Sequence, residues 1–209
     1  MKNLPKVPSL VSRLVGTLED KMRPKKHHIT PYLHLPGVEI SRVTSFDDRV
    51  DEFWRQASTT RKVMAVRDKI HLNWRYSQKP GDDYVIYQAE RANAVLGYII
   101  TTVRSVKFGR GNLKAGFIAD VLTLPRDEGK AITRALITAA INELRKQQAD
   151  VVSCCMLKEI LYHQVLKRMG FWHRPWLPLG ARLNSTKVSK EMLQDYKNWF
   201  FTMGDSDAV

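Results

Sequence analysis

The sequence predicts an α/β protein: a central mixed sheet flanked by helices, preceded by a basic helical leader. Three observations carry this. After Val38 the apolar residues switch repeatedly between the two-residue period of strands and the 3.6-residue period of helices. The stretch "DVLTLPRDEGKAITRALI" takes an apolar strand through a turn with one glycine into a long helix. A second apolar strand, "VVSCCML", follows that helix and leads to another, and parallel strands require such a crossover.

Taken in order, residues 1–37 read as a leader and linker and residues 38–209 as one domain. In the leader, Leu10, Val11, Leu14, Val15, Leu18 and Met22 share a helical face, with Lys21, Arg23, Lys25 and Lys26 close behind. "RPKKHHITPYLHLPG" is the linker, punctuated by prolines and closed by Gly37. "VEISRVT" is a strand. "SFDDRVDEFWRQA" is a helix with Ser45 as N-cap and Asp48 as the capping-box acid. "DKIHLNWRY" makes a short helix before Pro80. "DYVIYQAE" and "AVLGYIITTVRSV" form a hairpin turning at Ala92-Asn93. "AGFIADVLTL" is a strand, 127–148 a helix, "VVSCCML" a strand parallel to and beside 115–124, and 159–169 a helix stopped at Gly170. "WFFTMG" returns to strand.

Composition narrows the function classes. Thirty-four basic against twenty-one acidic side chains give a net charge of +13, which favours anionic partners. No nucleic-acid motif of recognisable spacing accompanies that charge, which argues against a nucleic-acid binder. The basic face of residues 8–26 would either lie on an acidic membrane surface or dock on the body or on a partner subunit. No apolar run approaches ~18 residues, so no membrane span is expected. The N-terminus lacks the continuous apolar core and cleavage site of a signal peptide. Cys154 and Cys155 are adjacent in an apolar segment and make no disulfide framework or metal-ligand spacing; they read as small hydrophobes. The expectation from these is a cytoplasmic chain, peripheral to the inner membrane face if the leader binds lipid.

The order strand, glycine turn, helix, strand, helix, Gly-Phe resembles the GNAT acyltransferases, whose loop Val-Pro-x-x-Arg-Gly-x-Gly-x-Gly binds the CoA pyrophosphate. Within that group, "RDKIHLNWRYSQKPGDDYVIY", "IADVLTLP", "RMGF" and "NWFFTMGDSD" are similar to the C-terminal lobe of larger bacterial GNAT-like proteins associated with cell-envelope polysaccharide synthesis, relatives of the Fem-type aminoacyltransferases. The resemblance implies acetyl-CoA or another acyl-CoA as donor and a small amine or amino-sugar acceptor. A region like this one follows another acyltransferase-like lobe in those proteins, so the resemblance implies either a partner, as a second acyltransferase-like lobe or another copy of the chain, or a lobe that works alone. The residues it assigns to the cofactor are Leu122, Leu124, Arg126, Gly129, Lys130, Ala131 and Arg134.

Laid without gaps on the loop, Leu124-Pro125 match Val-Pro and Gly129 matches the first glycine, but Glu128 replaces Arg or Gln, Ala131 replaces Gly, and Thr133 stands at the last small position. A shift of two residues instead aligns Arg126-x-x-Gly129-x-Ala131. In the ungapped placement a carboxylate faces the phosphates and a Cβ fills a close-approach site. Weak or absent acetyl-CoA binding is therefore expected, improved by joining Glu128→Arg to Ala131→Gly and little affected by Lys130→Ala.

Asp120 interrupts an apolar strand just ahead of the turn, where it is either a general base or half of an ion pair with Arg75 or Arg67. The position of the family's general-acid tyrosine, counted back from Gly170-Phe171, falls on Leu166. Tyr162 and His163 are the nearest substitutes. "FWHRPWLPLGAR" would either floor an acceptor pocket or pack as a loop. Three readings follow: an acyl-CoA-dependent N-acyltransferase with Asp120 as base; a non-catalytic lobe that pairs with another; and an anion-binding module for RNA or acidic lipid.

Overall fold

The computed structural model describes residues 35–78, 81, 83–157, 161–173, 182–184 and 188–206. The leader, most of the linker and most of the 171–182 segment lie outside these. Five strands form one sheet in sequence order: β1 (Glu39–Val43), β2 (Tyr84–Arg91), β3 (Ala94–Phe108), β4 (Gly111–Thr123) and β5 (Val151–Cys154). The first four pair antiparallel, and β5 pairs parallel to β4 from Ala115↔Val151 to Ile118↔Cys154, as the two apolar runs predicted. The helices are α1 (Arg49–Ala57), α2 (Lys69–Leu72), α3 (Gly129–Lys146), α4 (Leu161–Arg168) and α5 (Lys190–Gln194).

The β2–β3 hairpin turns at Ala92 and Asn93, both at positive φ, as a two-residue hairpin matched to strand twist requires. A second hairpin, unforeseen, joins β3 to β4 through Gly109-Arg110, so the two central strands run much longer than their apolar cores. One face of the sheet carries Tyr98, Asp120 and Leu122 beneath α1, where Phe46 and Phe53 meet the Tyr98 ring edge-on. The other face carries Thr123 and Gly116 beneath α3, whose Leu144 fills the space a side chain at Gly116 would need.

Three local expectations change. The first concerns α1, which starts later than Ser45 with Asp48 at its N-cap, and no side chain caps it. Phe46 is instead pinned by Asn73, whose amide both accepts from its N–H (2.8 Å) and donates to its C=O (2.8 Å), and this pulls the chain out of helical register. Asp68 does cap α2, accepting from His71 N–H, and α2 then widens into a π-helical turn at Asn73–Ser77. The long helix begins at Gly129, so Asp127 and Glu128 precede it and no acid lies in its first turn. Finally, "WFFTMG" is not a strand. It makes single bridges, Val63↔Trp199 and Met156↔Thr202, and then curls into a 3₁₀ turn at Met203–Asp205.

Candidate functional site

The end of β4 organises the site. Pairing with β5 stops at Ile118↔Cys154, while β4 continues to Thr123. A register shift against β3 between Ile100 and Thr101 leaves Ala119 as the extra residue, bending the strand as it parts from β5. The Val121 and Thr123 amides lie two residues apart and so point to the same edge. Both are satisfied from within the chain: Val121 N–H donates to Asp120 Oδ1 (2.9 Å) and Thr123 N–H to the Tyr162 hydroxyl (2.8 Å).

Asp120 is buried and holds a dense network. Its carboxylate accepts from Arg67 Nε (3.1 Å), Tyr98 Oη (3.0 Å) and Thr202 Oγ1 (2.9 Å), besides Val121 N–H. Its partner is Arg67 rather than Arg75, which donates to Ser206 O instead. Arg67, only 2% exposed, reaches Asp205 with its other arm (2.8 Å) and lies 4.8 Å from the centre of the Phe200 ring. Burial works against the Arg67 charge, but Asp120, Tyr98 and Asp205 outweigh it and hold the guanidinium ionised. Burial also pushes Asp205 above the usual aspartate range against the pull of Arg67. The Tyr98 and Tyr76 hydroxyls are raised by burial first and by Asp120 second, so both stay neutral. With four hydrogen bonds accepted, Asp120 positions Arg67 and the tail and is not a free base.

Tyr162 projects from α4 into the same edge. Its hydroxyl is buried, bonded among the described residues to Thr123, and raised by desolvation, so it keeps its proton. His163, the next residue, is half-buried and stacks edge-on with His173 at 5.1 Å. Leu166 is core. Cys154 is raised by burial to about 12 and Cys155 is raised too, so neither is a thiolate.

The turn after β4 is tightly built. A Cβ on Gly129 would sit 2.6 Å from Leu124 O, so only glycine lets α3 start this close to the strand. Gly129 N–H closes on Arg126 O and Ile132 N–H on Glu128 O; among the described residues the amides of Lys130 and Ala131 have no backbone partner. Leu122 and Leu124 are core, and the turn itself exposes Arg126, bonded to Gln56, and Lys130, with Arg134 half-buried one turn on. Thr133 is buried, bonded to Gly129 O (2.7 Å) and facing Thr123 Oγ1 (3.0 Å). Glu128 does not face an incoming anion alone: Arg91 at the end of β2 grips it with both arms, at 2.7 Å each. This bond to Arg91 holds Glu128 below the usual glutamate range.

These residues fit the diphosphate end of an acyl-CoA. The glycine cradle would be filled by any Cβ, two helix-start amides have no backbone partner among the described residues, and the turn and the first turns of α3 carry Arg126, Lys130 and Arg134. Sequence reasoning offered Arg67 as an alternative to Arg75 for the partner of Asp120, and missed the Thr202 and Asp205 contacts of the tail and Arg91.

No protein family's sequence profile matches the chain, and no curated protein matches it in sequence. Solved structures do match in fold. The glucosamine-6-phosphate N-acetyltransferase from Arabidopsis thaliana aligns with a TM-score of 0.51 at 17% identity, covering 70% of this chain and 99% of its own. The aminoglycoside acetyltransferase AAC(6')-Iy, bound to the bisubstrate analogue CoA-S-monomethyl-acetylneamine, gives 0.51 at 15% identity, covering 70% and 98%. A transcriptional regulator from Bacillus halodurans C-125 gives 0.53 at 11% identity, covering 69% and 100%. At these identities the likeness is one of fold, and the fold is that of the GNAT acetyltransferases.

Proposed function

We propose that this chain, whose fold is that of the GNAT acetyltransferases, binds an acyl-CoA at the opening of α3 and transfers its acyl group to an amine. The observation that carries this reading is the cradle at Gly129: a helix start with two amides that have no backbone partner among the described residues, beside parallel strands that part. The expectation of weak binding rested on Glu128 and Ala131. Its first ground weakens, because Arg91 neutralises Glu128 and the first turn of α3 holds no acid. The amides of Lys130 and Ala131 would hold the diphosphate, with Lys130 and Arg134 adding charge. Bound acyl-CoA supplies a thioester activated toward an amine. Tyr162 Oη, kept protonated by its burial, would donate a proton at the β4 edge. Asp120 holds Arg67 and the tail in place. Envelope amino sugars suit the "NWFFTMGDSD" resemblance as acceptors.

One observation favours a second reading, a non-catalytic lobe paired with another. The Val121 and Thr123 amides, which a bound acyl group would have to use, are already taken by Asp120 and Tyr162. Calorimetry with acetyl-CoA and desulfo-CoA, followed by thiol release in the presence of amino-sugar acceptors, separates the two. Binding with amine-dependent thiol release supports transfer; binding without release under any acceptor supports the lobe; no binding of either compound rejects a cofactor role.

A further inference from the structure

The reading above uses the Arg91–Glu128 pair only to neutralise the carboxylate, yet the pair stands at the position where the charge pattern of the loop is reversed. We propose that Arg91, outside the loop, supplies the guanidinium that grips the cofactor diphosphate, and that Glu128 holds this guanidinium only until the anion displaces it. This deepens the acyl-CoA reading and rests on it.

Four features place Arg91 for that task. It is the last residue of β2, and the tight Ala92-Asn93 turn fixes it beside the start of α3. Its side chain is 36% exposed and that of Glu128 27%, so the pair is open to an incoming ligand. Both terminal nitrogens meet the Glu128 carboxylate in parallel, at 2.7 Å each, the geometry in which a guanidinium also takes a phosphate. A third donor, Nε–H, is buried without a hydrogen-bond partner among the described residues, so the carboxylate does not exhaust what the fork can bind.

The exchange has a physical direction. A single carboxylate competes with a multiply charged diphosphate that the helix-start amides of Lys130 and Ala131 also attract. The anion would gain Arg91 and those amides together, whereas Glu128 holds Arg91 alone. Release of Glu128 into solvent is inexpensive because it is already partly exposed.

The test is calorimetric titration of acetyl-CoA into wild type, Arg91→Met and Glu128→Gln, with the melting temperature of each protein measured beside it. Both variants break the same surface pair and should lower the melting temperature by a similar small amount. Their effects on affinity should be opposite in sign. Arg91→Met loses a charge-assisted contact and should bind about tenfold more weakly; Glu128→Gln removes the competitor and should bind several-fold more tightly. Equal affinity in all three proteins would overturn the role of Arg91 while leaving the acyl-CoA reading intact. Weaker binding by both variants would overturn the exchange, making Glu128 a positioning group. No binding by wild type or by Glu128→Gln would overturn this proposal together with the reading beneath it.

Discussion

Arg67 joins a loop, a central strand and the tail through Asp120 and Asp205. Replacing it by Met leaves Asp120 buried without its cation and should cost about 3–5 kcal/mol in urea unfolding, the range for breaking a buried pair from one side. Thr202→Val removes the hydroxyl's bonds to Asp120 and Arg67 and should cost about 1.5–3 kcal/mol by the same measurement. Glu128 gives a pH test. Its folded pKa lies below the ordinary 4.5, so its contribution is complete above that value and fades as pH falls through the lower folded pKa. The stability difference between wild type and Glu128→Gln should therefore shrink on acidification through the carboxylate range. Asp120 shows what one residue discloses in sequence. A lone acid in an apolar strand announces a buried partner. Which arginine answers is decided by an irregular segment, Arg61 to Asp68, whose path no periodicity describes.

At the scale of elements, the β4–turn–α3 unit was legible because each part has a local cause: apolar alternation, a glycine, then helical spacing from Ile132 to Leu144. Its start was misread by two residues because Asp127 and Glu128 are good helix-start residues, while the close approach of Gly129 to Leu124 O fixes the actual turn. Gly129→Ala should accordingly destabilise the protein by about 1–3 kcal/mol, as overpacking against rigid backbone does, and should weaken acetyl-CoA binding as well. Unfolding and titration of the same variant check both. The tail was misread for a complementary reason. "WFFTMG" has strand composition, but the Asp205 carboxylate takes Thr202 N–H (2.8 Å) and Gly204 nestles against Ala119 O, curling the segment into a turn. Composition cannot register a contact with a strand some eighty residues away.

For the whole molecule, the sheet and the tail close on each other. Phe200 and Met203 are buried, Trp199 bridges to Val63, and Thr202 bridges to Met156 beside β5. Removing residues 199–209 would uncover Arg67 and Asp120 together, and circular dichroism should then show loss of cooperative melting. No helix among the described residues is long and apolar enough to cross a membrane. The central proposal is that an acyl-CoA lies across the opening of α3 and along the end of β4 beyond its pairing with β5. The most direct measurement is a titration of ¹⁵N-labelled protein with acetyl-CoA, followed by amide shifts. The account predicts saturable shifts concentrated at Gly129–Thr133 and at Val121–Thr123, with the Tyr162 contact to Thr123 N–H perturbed. Shifts absent from both segments at millimolar acetyl-CoA, or saturating elsewhere on the surface, would contradict it.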